Sequence, residues 1–526
     1  MRERRSKIFK LLCSAKNLSI RQISKLTDIP KSSTHRHKKV IEARNIYPES
    51  SFWETSDGLK YQRRLVIATI LIFGVMCGAG AGKIRLFFKL IRIFTHVGIS
   101  ESAIRNIAKE IENKLIEFKK LHEAAVNFEK PLEVIVGADE TFFDKIIILV
   151  LMDLASGYIF IEEEASDRTY ATWMEKVLDV IGKIGLRIKY VVSDRAGALI
   201  KLAIKGIKSL SVPDLFHAGN EIVKLLGLSL NRKLNSIQIK IEKASAVLSI
   251  LITLSKGPDE IRIQKLVIEN LICEQAIIER NIIKYKELLH QLSISAHAFN
   301  IATSEMQTSA QIEILLKVIV RLIEEILSEC GIDDKKKRLN KFNKQIEGIA
   351  ALTDSWQVWV EESLNGYQID DDLRKWLTEI LLPYIYWKYQ FTRTKNPKLK
   401  HSYKEAYENA ELKMERHPLT LLFKNLPEWV SWAEWMVSNY QRSSSAVEGR
   451  NGCLSQLRHN GRGLSGNRLR ALTAIHNFGL QRSDGTTAAE RLFRRDFPDI
   501  FEWVIERMGE LPTPRNSANS PMRLTS

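Results

Sequence analysis

Cysteine is sparse in this chain and poorly placed for cross-linking. The five in 526 residues (Cys13, Cys77, Cys273, Cys330 and Cys453) form no CxxC pair and no zinc-ligand spacing. An odd, dispersed set reads as reduced thiols in a cytosolic-type compartment. Long apolar runs are equally scarce. Leu65 to Gly82 is uncharged over eighteen residues, which only just reaches spanning length. Its second half is small and glycine-rich, and basic residues flank both ends. A buried helix ending in a glycine turn is therefore expected, and no membrane partner. No secretory signal is visible, because the first residues are charged and their apolar runs short. Proline is almost missing from the middle: between Asp214 and Leu382 only Pro258 occurs. No short internal repeat is evident. Acidic charge is in deficit, with 62 Asp+Glu against 79 Lys+Arg, a formal net charge of +17. That excess points to a polyanionic partner but does not by itself exclude a membrane surface or plain solubility.

The distribution of charge says more than its total. Residues 1–48 hold thirteen Lys/Arg and three acids, and 441–484 hold seven Arg against Glu448 and Asp484. Within the first segment, Ile20, Ile23 and Leu26 recur at helical spacing, with Ser19 as cap. Ile29-Pro30 breaks that helix, and Ser32 or Ser33 is placed to cap a second one running to Ile41. The second helix displays Lys31, Ser33, Thr34, His35, Arg36, Lys38 and Lys39. A short helix, a tight turn and a polar basic helix make the helix-turn-helix pattern. The competing reading is a pair of surface helices with a solvated charge run; the concentration of charge favours DNA. Residues 83–120 offer a weaker version, balanced between a second DNA-binding unit and a packing scaffold.

A chain this long implies roughly two to four domains. From Leu132 to His217 the pattern is α/β. Leu132–Ala138, 145–154 and Tyr158–Glu164 read as sequential strands, with turns at Asp144-Lys145 and Ala155-Ser156-Gly157. A helix follows over Thr169–Ile184, then a strand at Ile188–Ser193, a helix over Ala196–Ile204 and a short element at Val212–Phe216. That order is the one expected of a ribonuclease-H-like fold. The expected organisation is a DNA-binding unit (1–48), a helical region (49–130), the first part of an α/β core (131–218), an all-helical insertion (219–417), the rest of the core (418–510) and a disordered tail (511–526). Helix dominates overall.

The chemistry is read from two strand ends and one late helix. The apolar run Val134-Ile-Val-Gly-Ala ends in Asp139-Glu140, and Tyr190-Val-Val-Ser ends in Asp194. Far downstream stands Ser443-Ser-Ser-Ala-Val-Glu448-Gly-Arg450-Asn451. A lone aspartate at a strand end is usually a turn or cap residue. Two such strands side by side, with a glutamate from a helix across the sheet, make a carboxylate set for divalent ions. Oxygen ligands suit Mg²⁺ or Mn²⁺, and two ions about 4 Å apart activate a nucleophile and stabilise a leaving oxygen in phosphodiester chemistry. Arg450, Asn451 and Arg458 read as DNA-facing on the same helix. Glu140 and His217 are auxiliary candidates, the latter in Asp214-Leu-Phe-His217, where a capped turn competes. Asp153 reads as a turn residue. Trp429, Trp432 and Trp435 share one helix face, a core stripe in preference to a base-stacking surface.

The motifs Gly137-Ala-Asp139-Glu140-Thr141-Phe-Phe, Val192-Ser-Asp194-Arg195-Ala196 and Ser445-Ala-Val-Glu448-Gly-Arg450-Asn451 resemble those of DDE-type transposases of bacterial insertion sequences. The Arg-rich stretch through Asn477-Phe478 and Arg482-Ser-Asp484-Gly485-Thr486-Thr487 is similar as well. The resemblance covers roughly 130–217 and 430–495, and the N-terminal segment by type. It implies Asp139, Asp194 and Glu448 as the catalytic acidic triad, with Mg²⁺ or Mn²⁺ as cofactor. It also implies DNA cleavage and strand transfer at terminal inverted repeats, target DNA as second substrate, a homodimer or larger synaptic complex, and a cytoplasmic, nucleoid-associated location. Asp194 and Glu448 stand 254 residues apart, resembling transposases whose core is interrupted by a helical insertion. Glu434 and acids within the insertion compete for the third position. A nuclease without strand transfer, or a non-catalytic DNA-binding derivative, remains the alternative.

Overall fold

The computed structural model describes residues 2–14, 17–143, 146–332, 336–422, 426–459 and 464–514. At the N-terminus α1 (Arg2–Ser14), α2 (Ile20–Thr27) and α3 (Lys31–Arg44) close on Ile8, Phe9, Ile23, Ile29 and Ile41. Ser19 caps α2 in a reciprocal capping box with Gln22, which satisfies two orphaned donors. The expected serine cap on α3 is not formed: the helix starts at Lys31 directly after Pro30, with no side-chain cap. A proline there presets the entry, since its ring fixes φ and it has no amide to satisfy. α1 was not expected from the sequence; its apolar contribution is confined to a few residues in a basic segment. Leu26 stays 63% exposed, outside the small core.

The uncharged segment after Arg64 is a protein interior. α4 (Ser56–Thr69) continues as a wider-wound turn to Met76, and Val66, Ile67, Ile70, Leu71 and Val75 are buried. Among the described residues no helix is long and apolar enough to cross a membrane. α5 (Ala81–Leu90) and α6 (Glu101–Ala124, capped by Ser100) follow. α6 turns Ile104, Ile107, Ile111, Leu115 and Phe118 into a core shared with the sheet and the C-terminal helices. This buried face of residues 83–120 is core packing, which both readings of the segment share.

The expected elements between 132 and 217 form a five-stranded mixed sheet in a helix-dominated chain. In order come β1 (Leu132–Phe143), β2 (Ile146–Asp153), β3 (Ile159–Ala165), α7 (Tyr170–Ile184), β4 (Leu186–Ser193), α8 (Gly197–Lys201) and β5 (Leu210–Pro213). The strands lie in the order β3-β2-β1-β4-β5. β1, β2 and β3 are antiparallel neighbours, and β4 and β5 run parallel to β1. The turn at Asp144-Lys145 lies outside the described residues. Asp139 does not end its strand: β1 runs on to Phe143, because its hairpin with β2 continues where β4 has stopped. β5 ends at Pro213, short of the expected Phe216, since Asp214 already caps the next helix.

The long middle segment is helical, as its periodicity predicts, but it is not one self-packed bundle. α9 (Leu215–Thr253), α10 (Pro258–Ser295), α11 (Ser309–Glu329), α12 (Lys336–Asn343) and the first turn of α13 (Ile346–Leu364) share a core of their own around Ile222, Leu292, Leu316, Ile323 and Phe342. After α14 (Asp371–Trp376) come α15 (Leu382–Arg393), α16 (Pro397–Arg416) and α17 (Pro418–Leu422). Trp356, Trp359, Tyr386 and Trp387 from α13 and α15 cover Ile135, Val150, Tyr190 and Val192 on one sheet face. That face is apolar and must be buried; the second half of the segment supplies the cover.

The chain then returns through α18 (Leu426–Ser438), α19 (Ser445–His459), α20 (Gly466–Phe478), α21 (Ala488–Phe493) and α22 (Ile500–Arg507). Trp432 is buried, and Trp429 and Trp435 pack half-buried against the same core, Trp429 on Trp432 and Trp435 on Trp359, so the tryptophan stripe serves packing, with Trp435 also reaching the wall of a cleft. The tail is ordered for a few residues beyond expectation: Leu511 is buried and the Pro512 carbonyl accepts from Gly98 N at 2.7 Å. Residues 515–526 of the expected disordered tail lie outside the described residues.

Three largely buried histidines give this fold an acid-sensitive stability. Burial pushes His96 and His476 down to about 4, and drives His297, held between the Tyr386 and Tyr403 hydroxyls, well below the ordinary value. Unfolded histidine titrates near ~6.5. The unfolded chain therefore takes up protons first as pH falls. Stability is fully present above that value and is lost on descent towards about 4, where folded His96 and His476 finally titrate. The loss expected is up to about 1.4 kcal/mol per histidine per pH unit. Urea midpoints measured between about pH 7.5 and pH 5 should fall, by less than the histidines alone would give because the Asp139 carboxyl, raised to about 7, acts the opposite way in that window. His476→Gln should flatten the fall, so the midpoint should change more in the wild type than in the variant; an equal or steeper fall in the variant would refute it.

Candidate active site

Strand alternation decides which acids meet. Ile135 and Gly137 of β1 face the cover built by α13, α15 and α19, and Asp139 continues that face. Gly137 makes room for α19: a Cβ there would stand 2.8 Å from Val447 Cγ2 and 2.7 Å from Leu154 Cδ2. The last parallel pair between β1 and β4 is Gly137 with Val192. Asp139 and Asp194 each lie two residues beyond it, so both project past the end of the parallel ladder. Asp194 Oδ1 accepts from Ala196 N at 2.8 Å, and Arg195 adopts a left-handed φ of 65°. A non-glycine residue there is strained, and such strain recurs where a turn is held for function.

Glu448 reaches this end of the sheet from the first turns of α19. Its carboxyl comes within hydrogen-bonding reach of Asp139. Burial, and then the charges of Glu448 and Asp194, push the Asp139 carboxyl up to about 7 against a backbone hydrogen bond at Glu140. His217 Nε2 stands 2.9 Å from Glu448 Oε1. Burial opposes its protonation, but the bond to Glu448 and the charges of Asp214 and Asp139 prevail and raise its pKa. One buried residue aligns the pair. Asp214 Oδ1 accepts from the amides of Phe216 and His217 at the start of α9, while Oδ2 accepts from Ser444 N and Oγ just ahead of α19. Asp214-Leu-Phe-His217 is thus both a helix cap and the fastener that sets His217 against Glu448. Its second half was not legible, because Ser444 lies 230 residues away.

Other expected residues fall elsewhere. Glu140 points to the opposite sheet face, where Oε1 accepts from Trp173 Nε1 at 3.2 Å and burial raises its pKa. Arg450 does not face DNA: it is buried and doubly bonded to Glu162, at 2.6 Å each from Nε and Nη2. Thr473 Oγ1 donates to the same carboxylate, tying α19, β3 and α20 together. Asn451 Nδ2 donates to Asp139 Oδ2 at 2.8 Å, which fixes that carboxylate's rotamer. Arg458 lies half-buried in the last turn of α19. On α3, Lys31, His35, Arg36 and Lys39 are exposed and Ser33 and Lys38 half-buried. Thr34 is fully buried and donates to the Ile29 carbonyl, which removes it from the displayed face. Glu434 lines a cleft at the other end of β1 and does not compete for the third position; Asp153, as expected, holds its turn by accepting from Ser156.

The donors that converge are carboxylate oxygens, which suit Mg²⁺ or Mn²⁺. The Asp139 carboxyl is raised first by burial and then by the charges of Glu448 and Asp194, and a cation would relieve both contributions. Asp194 stands within electrostatic range, its Oδ1 turned to a backbone amide. Among the described residues, no three His, Cys, Asp or Glu side chains are gathered closely enough to hold an ion as they stand. The set fits a divalent ion in donor type and charge, with Asp194 needing to draw in. Beside it opens a cleft of about 570 Å³ lined by Asp194, His217, Arg338, Lys341 and Gln345. Both cations belong to α12, Arg338 at the end of the Lys336-Lys-Arg338 charge run and Lys341 about one turn later, a signal present in the sequence but placed at the site only by the tertiary fold.

Residues 377–520 are similar to a family described as a family of unknown function (DUF6399). No curated protein and no solved structure matches the chain. The matched stretch runs from just before α15 through α22 and so contains Glu448, Arg450 and Asn451.

Proposed function

We propose that the chain is a metal-dependent DNA-cleaving and strand-joining enzyme, a DDE-type transposase with a ribonuclease-H-like core, an N-terminal helix-turn-helix and a helical insertion. The observation that carries the reading is the meeting of Asp139 and Glu448 at the end of the sheet where Asp194 also projects. Asp139, Asp194 and Glu448 would hold Mg²⁺ or Mn²⁺. Bound there, the metal supplies an activated water or 3′-hydroxyl and neutralises charge on the phosphodiester. Asn451 holds Asp139 in place, and His217 sits where it can hold a proton beside Glu448. Arg338 and Lys341 give the adjoining cleft a cationic wall for a DNA phosphate. Self-association is supported by Ile250, Leu254, Ile263 and Leu266, which leave a large apolar surface exposed at the far end of the α9–α10 hairpin. The test is cleavage of DNA that carries the sequence on either side of the coding region, searched for inverted repeats, with Mg²⁺ or Mn²⁺, followed by joining to a target plasmid. Cleavage without joining would establish the nuclease instead; neither activity would leave a DNA-binding protein.

The basic face of α3 should carry part of the DNA affinity. Arg36 and Lys39 are exposed on it. Removing one cation that neutralises a phosphate lowers the slope of log affinity against log salt by about 1. Arg36→Ala with Lys39→Ala should therefore flatten that slope by about 2. An unchanged slope in a fluorescence-anisotropy titration would mean that α3 is not a DNA anchor.

A further inference from the structure

At the opposite end of the sheet from the three acids lies a cleft of about 1230 Å³, between the sheet, α15, α18 and the segment around α21. Arg393, Arg482 and Arg491 all line it. Their hydrogen bonds run to neutral oxygens: Arg393 to the Tyr389 hydroxyl, Arg482 to the Ala155 carbonyl, and Arg491 to the Ser156 and Thr486 carbonyls. Three guanidinium groups in one cleft repel one another. Burial and then the neighbouring arginines depress Arg482, and the same causes push Arg491 down to about 10. Asp484, with Asp153 for Arg482 and Glu490 for Arg491, offsets part of this repulsion, and the positive excess that remains favours a bound anion. Guanidinium forks match phosphate oxygens in geometry as well as charge.

Two further observations narrow the anion. Asp153, 2% exposed, lines the same cleft; Oδ2 is satisfied by Ser156, whereas Oδ1 makes no hydrogen bond of ordinary geometry, with only the backbone at Ile135 and Ala155 close by, and burial raises its pKa. A buried acceptor short of a partner calls for a donor, and a ribose hydroxyl or base amine brings one beside the phosphates. Tyr389, Trp435 and Phe493 add aromatic wall.

We propose that this cleft is a nucleotide site, remote from the acids, in which Arg393, Arg482 and Arg491 hold the phosphates and Asp153 accepts from the ribose or base. It does not depend on the transposase reading. Asp484, beside Arg482 and Arg491, and the motif Arg482-Ser-Asp484-Gly485-Thr486-Thr487 that shapes this wall then have a ligand to serve.

The experiment is equilibrium titration of the full chain with ATP, read by tryptophan fluorescence and by calorimetry. Adenosine, inorganic tripolyphosphate and a random duplex serve as comparison probes. ATP should saturate below millimolar concentration, tripolyphosphate should bind more weakly and adenosine should not bind. Arg393→Gln and Arg482→Gln should each weaken ATP about tenfold. Arg393 is exposed and its substitution leaves the core intact, so it keeps the test valid if the Arg482 variant misfolds. Asp139→Asn should leave ATP binding unchanged, which separates this site from the acids. ATP binding absent at millimolar concentration, or untouched by Arg393→Gln, overturns the proposal. Displacement of ATP by duplex DNA, with Arg393→Gln weakening both, would assign the arginines to DNA backbone and overturn it equally.

Discussion

Asp139→Asn is expected to reduce divalent-metal-dependent DNA cleavage by about a thousandfold or more while DNA affinity stays unchanged. The substitution keeps the shape of the side chain and removes one ligand charge. Asp139 sits where β1 outruns β4, beneath the first turns of α19, and Glu448 and Asn451 both address its carboxyl. None of the exposed α3 cations is touched, so binding and chemistry should separate. Asn451→Ala should act on the same step more mildly, about ten- to a hundredfold, because it loosens the carboxylate without removing it. Cleavage by the Asp139→Asn protein at near wild-type rate would end the assignment of this site. If Glu448→Gln alone proved silent, the third acid would have to be sought among other residues.

The site was legible in the sequence as residue types at strand ends, and less so as geometry. Apolar β-branched runs ending in acid located Asp139 and Asp194, and the element order placed β1 beside β4, because adjacency of these strands follows from local pattern and right-handed connection. The continuation of β1 to Phe143 was missed because Thr141, Phe142 and Phe143 carry no signal of where the partner strand stops. On α19, Arg450 and Asn451 have equal grounds in residue type alone to face DNA. Only the rotation of the helix against β1 and β3 decides that Arg450 turns inward to Glu162 and Asn451 to Asp139. Thr34 was misplaced for the same reason: a hydroxyl can serve a solvent face or satisfy a buried carbonyl, and the sequence does not distinguish them. The helical character of the middle segment was visible from its periodicity and near-absence of proline. Its division was not, because apolar stripes on α9 and α13 look alike in sequence although one faces other helices and the other the sheet.

Arg450→Ala should destabilise the fold by about 3–5 kcal/mol, a loss large enough to threaten folding outright. The guanidinium and the Glu162 carboxylate are both buried, and their two hydrogen bonds are parallel. Removing the arginine leaves a charge on β3 with Thr473 as its remaining partner, and desolvating an unpaired carboxylate is what costs most. The double replacement Arg450→Met with Glu162→Leu removes both charges and keeps apolar volume. It should recover most of the loss, since a buried ion pair contributes little beyond an apolar pair of similar size. Chemical denaturation of the single and double variants measures this directly. The consequence reaches the candidate site, because the pair anchors α19 to the sheet within a turn of Glu448. The double variant should fold, yet with the α19 register held by packing alone its cleavage rate should fall below wild type. A single Arg450→Ala variant as stable as wild type would show that the pair is solvated, and that α19 is positioned by Gly137, Val447 and Leu454 instead.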